Sequence, residues 1–112
     1  MNSKFYISLE AARLLKEKGY NEEYINHYDE NGEIIIPYYE HEYDKLYPAP
    51  TKAEAIDWLE SKGVVVATSL TYNRKWFCTI ESFVRGEIVS TLDLPTRLEA
   101  EDAAIIKALE IL

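Results

Sequence analysis

At 112 residues with 47% hydrophobic side chains, the chain has the length of one domain and enough apolar surface for a packed core, which excludes a disordered polymer. Its formal net charge of −8, 20 acids against 12 bases, argues against a general affinity for nucleic acid or anionic lipid, since both need clustered Lys and Arg. No apolar run approaches the ~18 residues of a membrane span, the opening "MNSKFYISLEAARLL" lacks the layout of a secretory signal, and a lone Cys78 makes no internal disulfide; a reducing cytoplasm is the expected setting.

The first predicted element is a helix from about Leu9 to Lys18. Ser8 supplies its N-cap, and Glu10 sits near the positive end of the helix dipole. Ala11, Ala12, Leu14 and Leu15 form its apolar side. Gly19 ends it in a left-handed conformation, with Tyr20 packing back on Leu15.

An acidic segment comes next. From Glu22 to Asp44 there are eight carboxylates and no Lys or Arg. Tyr24–Tyr28 and Glu33–Tyr38 are expected to pair across "DENG", where Asn31 and Gly32 tolerate positive φ. Pro37 has no N–H to donate, so its strand lies at an edge or stops there. "YPAP" at 47–50 reads as a stiff connector.

The second and third helices open with "PTKAEA" at 50–55 and "PTRLEA" at 95–100. In each, Thr caps the backbone and the Glu three residues later reaches back, a reciprocal capping box. Beyond these openings the two segments differ, "IDWLESKGVVV" against "EDAAIIKALEIL", so shared capping chemistry explains the match better than duplication. Gly63 closes the second helix and brings Val64 over Leu59.

Between these helices lie three strand-like runs, Val64–Tyr72, Trp76–Val84 and Glu87–Leu94, with turns at "NRK" and "RG". In the middle run Trp76, Cys78, Ile80 and Val84 give an apolar face, and Phe77, Thr79, Glu81 and Phe83 a mixed one. The expected fold is α+β: an antiparallel sheet covered by helices, with an N-terminal helix plus hairpin (1–47) preceding an α-β-β-β-α unit (48–112), all in a single domain.

Motifs of chemistry are scarce. In "EHEYD", Glu40, Glu42 and Asp44 share a strand face and His41 points away, which matches no established metal pattern. "DENGE" departs from a calcium loop because its Gly comes too early. Cys78 falls within an apolar strand face, the setting of an inert thiol. Neither a Gly-rich phosphate cradle, a Ser nucleophile elbow nor a zinc-hydrolase helix motif occurs. No catalytic residue, metal ligand or cofactor site is therefore assigned.

The tyrosines are more informative. Seven of the nine fall between Tyr20 and Tyr47. Tyr combines a large apolar ring with a hydroxyl at low entropic cost, which suits protein interfaces. Alternate tyrosines also cover sheets without any partner, and strands favour them intrinsically.

With those residues placed, the chain resembles a group of short proteins of gut bacteria, their prophages and other mobile elements. The likeness rests on "ISLEAARLLKEKGY", "APT" followed by "WL", a Trp-bearing strand and the Glu-Ala opening of an Ala/Leu-rich last helix. It implies a genomic setting and no activity. The α-β-β-β-α order after residue 50 is also similar to double-stranded-RNA-binding domains. Those domains place basic residues where this chain has "TRLEAED", and Glu99, Glu101 and Asp102 oppose a phosphate.

The expected function is a small protein-interaction module that binds a partner protein, or a second copy of itself, through Tyr24, Tyr28, Tyr38, Tyr39 and Tyr43. The alternative is an inhibitor that imitates nucleic acid, with the acids of 22–44 standing in for phosphates.

Overall fold

The computed structural model describes residues 3–22, 25–36 and 45–112. After a single 3-10 turn (Ser3–Phe5) come α1 (Leu9–Glu17), β1 (His27–Tyr28), β2 (Ile34–Ile35), β3 (Tyr47–Pro48), α2 (Lys52–Ser61), β4 (Val64–Leu70), β5 (Trp76–Ser82), β6 (Glu87–Ser90) and α3 (Arg97–Ile111). The α+β class expected from the sequence is observed.

The helices end where capping chemistry dictates. Ser8 Oγ accepts from Ala11 N at 3.2 Å. After α1, Gly19 N donates to Lys16 O and Tyr20 N to Leu15 O, the paired bonds of a Schellman motif, with Gly19 at φ +98°. Both halves of the capping box form at α2, where Thr51 N donates to Glu54 Oε1 and Glu54 N to Thr51 Oγ1. At α3 the Thr96 hydroxyl accepts from Glu99 N.

The strands form two three-stranded antiparallel sheets, ordered β2-β1-β3 and β4-β5-β6. The "DENG" hairpin forms, with His27 opposite Ile35 and Tyr28 opposite Ile34. Asp29 holds it by accepting from Asn31 N and Glu33 N on one carboxylate oxygen. The "YPAP" stretch is more than a connector, since Tyr47–Pro48 pairs with β1 and makes β1 a central strand. His27 and Tyr28 of this central strand are both buried.

In the second sheet β5 is central, as its alternation implies. Cys78, Ile80 and Ser82 are buried on one face. Val84, expected on that face, lies instead in the turn after Ser82 and is 79% exposed. Past β6 the pairing slips: between Thr79↔Ser90 and Trp76↔Leu94 the β5 side advances three residues and the other side four. The extra residue makes a bulge over 91–93, where the Thr91 hydroxyl accepts from Cys78 N.

α3 is the hub, packing on β4, β5, α1 and α2. Ala100, Ala104 and Ala108 are fully buried along it, and such small side chains let neighbouring elements come close. Ile105 and Leu109 join Ile7, Leu15, Leu59 and Ile80 in the core. Each such side chain contributes about 1.5–3 kcal/mol by leaving water. α1 also packs against β3, where Lys16 Nζ donates to Leu46 O and both Arg13 and Lys16 lie over the Tyr47 ring.

Candidate functional site

Of the five tyrosines expected to form a contact surface, Tyr28 is the one within the described residues, and it does not serve that purpose. It is 8% exposed, and its hydroxyl donates to Ile7 O at 2.5 Å, tying β1 to the start of α1. Tyr24, Tyr38, Tyr39 and Tyr43 lie outside the described residues, as does "EHEYD". Tyr20 is a core residue whose ring meets Trp58 edge-on at 5.5 Å. Among the described residues no group of three or more His, Cys, Asp and Glu side chains could hold a metal ion.

Cys78 is fully buried beside the Thr68 hydroxyl at 3.4 Å. Burial pushes its thiol pKa up, against a smaller lowering by the Thr68 hydrogen bond. A thiol held protonated and away from solvent is a poor nucleophile.

A cleft of about 1030 Å³ opens where the starts of α1, α2 and α3 approach one another, lined by Ser8, Tyr28, Lys52, Thr96 and Asp102 among others. Its buried polar groups are occupied by the fold. Lys52 is 7% exposed, and its ammonium donates to the carbonyls of Lys4 and Tyr6, which fastens the N-terminal turn to α2. Asp102 Oδ1 accepts from Ser8 N at 2.9 Å, so a carboxylate of α3 caps the start of α1. Burial lowers the Lys52 pKa, while Asp102 and Glu101 act in the opposite direction. Among the described residues no buried side-chain polar atom lacks a hydrogen-bond partner. These groups build the fold, and none converges on a reacting centre.

The second sheet offers a different feature. Helices α2 and α3 lie on its Cys78–Ile80 face, and among the described residues no helix or strand covers the other. On that open face Val65 pairs with Glu81, which pairs with Ile88; Ala67 pairs with Thr79, and Ser69 with Phe77. Phe83 follows in the turn after Ser82, its N–H bonded to Gly63 O. Phe83 is 66% and Ile88 67% exposed, large apolar areas left in water. At the far end of the sheet Leu70, Thr71, Tyr72 and Phe77 border a shallow depression of about 390 Å³, where Leu70, paired with Trp76, is in register with the helix-covered face and Phe77 with the open one. The period-2 pattern carried the signal, since it separated Phe77 and Phe83 from the covered face. The roles of Lys52 and Asp102 had none, because their partners lie 46 and 94 residues away in sequence.

The molecule thus defines itself as a small α+β domain with one helix-covered sheet whose opposite face is open. No protein-family model matches the chain, and neither a curated protein nor a solved structure matches it.

Proposed function

We propose that the protein acts by binding another protein, in the cytoplasm of a bacterium or its mobile elements, and that the open face of the β4-β5-β6 sheet is a principal contact. The observation that carries this reading is the exposure of Ile88 on a sheet face that no described element covers, with Phe83 exposed in the turn that follows β5. Contiguous apolar surface on a folded domain costs free energy in water and recovers it on association. The Tyr38, Tyr39 and Tyr43 segment stands in this proposal as a second contact. Imitation of nucleic acid by the acids of 22–44 is less favoured, because one of them, Asp29, already accepts the backbone N–H groups of Asn31 and Glu33.

Affinity purification of the tagged full chain tests the reading. An Ile88→Lys variant is expected to lose its captured partner, whereas Tyr38→Ser with Tyr39→Ser weakens capture without abolishing it. Identical captures from the original chain and both variants overturn it. Because Ile88 is already exposed, its replacement leaves the core intact.

A further inference from the structure

We propose that β4 pairs edge to edge with β4 of a second copy of this chain, antiparallel about a two-fold axis at Ala67, so that the two β4-β5-β6 sheets join into one. The surface concerned is the rim of the sheet, distinct from its open face, and the pairing does not depend on contact through that face.

The backbone register shows which groups the rim presents. Gly63 O accepts from Phe83 N and Thr71 N donates to Lys75 O, so the odd-numbered residues between them turn their N–H and C=O towards β5. Trp76 and Cys78 turn theirs away from β4, bonding to Leu94 and Thr91. Val64, Val66, Thr68 and Leu70 therefore direct their backbone groups out of the sheet. β4 is the end strand, and among the described residues no hydrogen bond reaches those outward groups. Their alternation of donor and acceptor is what another extended chain completes.

Proteins ordinarily blunt an open sheet edge with charge, proline, a bulge or shortness. The other described edges follow that rule. β6 is four residues long, begins at Glu87 and runs into the bulge over 91–93. β2 has two residues with Pro37 soon after it in sequence, and β3 has two and contains Pro48. β4 has none of these devices: "VVVATSL" runs seven residues without a charge, a proline or a glycine.

The strand also fits itself. A second copy brings the same bare edge, so one contact closes both. An axis at Ala67 engages every outward residue, Val66 with the partner's Thr68 and Val64 with the partner's Leu70. The two ends of β4 complement each other in burial, since Val64 is 1% exposed and Leu70, on the same face, 55%. Reversed strands bring the exposed Leu70 of each copy beside the covered end of the other. At the axis stands Ala67, small and exposed, where antiparallel neighbours approach most closely. An uncharged edge gives a charged partner nothing to select, and it keeps the chain's charge of −8 away from the contact. A strand pair of this length is a small contact held by main-chain hydrogen bonds, which makes the dimer reversible. Salt screens the repulsion between two acidic chains and is expected to strengthen it.

Sedimentation velocity on the full chain from ~1 μM to ~500 μM tests the pairing. The original chain is expected to shift from monomer to dimer across that range. Ala67→Lys and Ala67→Glu each set like charges opposite one another at the axis and are expected to weaken association about fivefold, whereas an equimolar mixture of the two regains it. Ala67 is exposed, so neither change touches the core, and circular dichroism confirms folding. Independently of charge, Ala67→Cys is expected to form a disulfide-linked dimer under mild oxidation, and Ser69→Cys, displaced from the axis, far less; Cys78 is buried and takes no part. A chain that is monomeric throughout overturns the pairing, as does a dimer that both charged variants leave unchanged. Ile88→Lys is expected to keep this dimer, so its effect on capture reads the open face separately; a dimer lost in Ile88→Lys and kept in Ala67→Lys overturns the edge.

Discussion

Tyr28 shows how one side chain decides what a segment is for. Its hydroxyl donates to Ile7 O from within the core. Replacing Tyr28 with Phe keeps the ring and deletes that bond, leaving the Ile7 carbonyl without this donor. The expected cost is about 1–2 kcal/mol, the range for a buried acceptor that loses its partner. Urea unfolding of the variant measures it as a lower midpoint with unchanged slope. An unchanged midpoint removes Tyr28 from the structural role and returns it to the candidate surface. The pattern of tyrosines was legible in the sequence, but burial was not. It depends on the chain before α1 lying against β1, where Ile7 O meets the Tyr28 hydroxyl, and nothing in "HYDENGEII" announces that neighbour.

At the scale of elements, backbone punctuation is the legible part. α1 ends at Glu17, one residue before its expected last, and α2 ends at Ser61. Each is closed by a glycine with positive φ, +98° at Gly19 and +86° at Gly63. Gly19→Ala isolates the dihedral cost, because a Cβ there meets nothing within 4 Å. Gly63→Ala adds a contact, its Cβ lying 3.1 Å from Val84 Cγ2, on a side chain exposed enough to yield. Both are expected to destabilise by about 1 kcal/mol, the strain of a left-handed L-residue, with Gly63→Ala the same or slightly worse. Thermal unfolding of the two variants checks this. A Gly63→Ala loss several times larger would mean that the Val84 turn is rigid.

At the scale of the whole molecule, alkaline pH tests how the buried phenols are held. Burial, then Glu54 and Glu22, pushes Tyr20 from its ordinary value of 10 up to about 12. Burial and Asp102 push Tyr28 up as well. A phenol with a raised folded-state pKa contributes stability that is complete below pH 10 and is lost as pH climbs through the folded value. For Tyr20 the loss amounts to about 2–3 kcal/mol by pH 12. Lys52 acts the other way: its pKa is lowered on folding, so the unfolded chain binds more protons just below 10.5 and stability rises with pH there. The rise from Lys52 ends near its unfolded value of 10.5, so above it the phenols set the trend and stability is expected to fall towards pH 12. Tyr20→Phe should flatten that fall in urea titrations at stepped pH, and an equally steep decline in the variant sinks this assignment.

Helix positions, the "DENG" turn, the central place of β5 and the α+β class came from the sequence by itself, because each depends on residues close together in the chain: a Thr and the Glu three places on, a Gly after an apolar run, an alternation of period two. Which residues stand inside was settled by tertiary structure. Asp102 reaches Ser8, Lys52 reaches the carbonyls of the first turn, and β3 pairs with His27 and Tyr28, through contacts that span about twenty residues or more. Local preference fixes the shape of a segment, whereas the identity of its neighbour is set by where the rest of the chain packs.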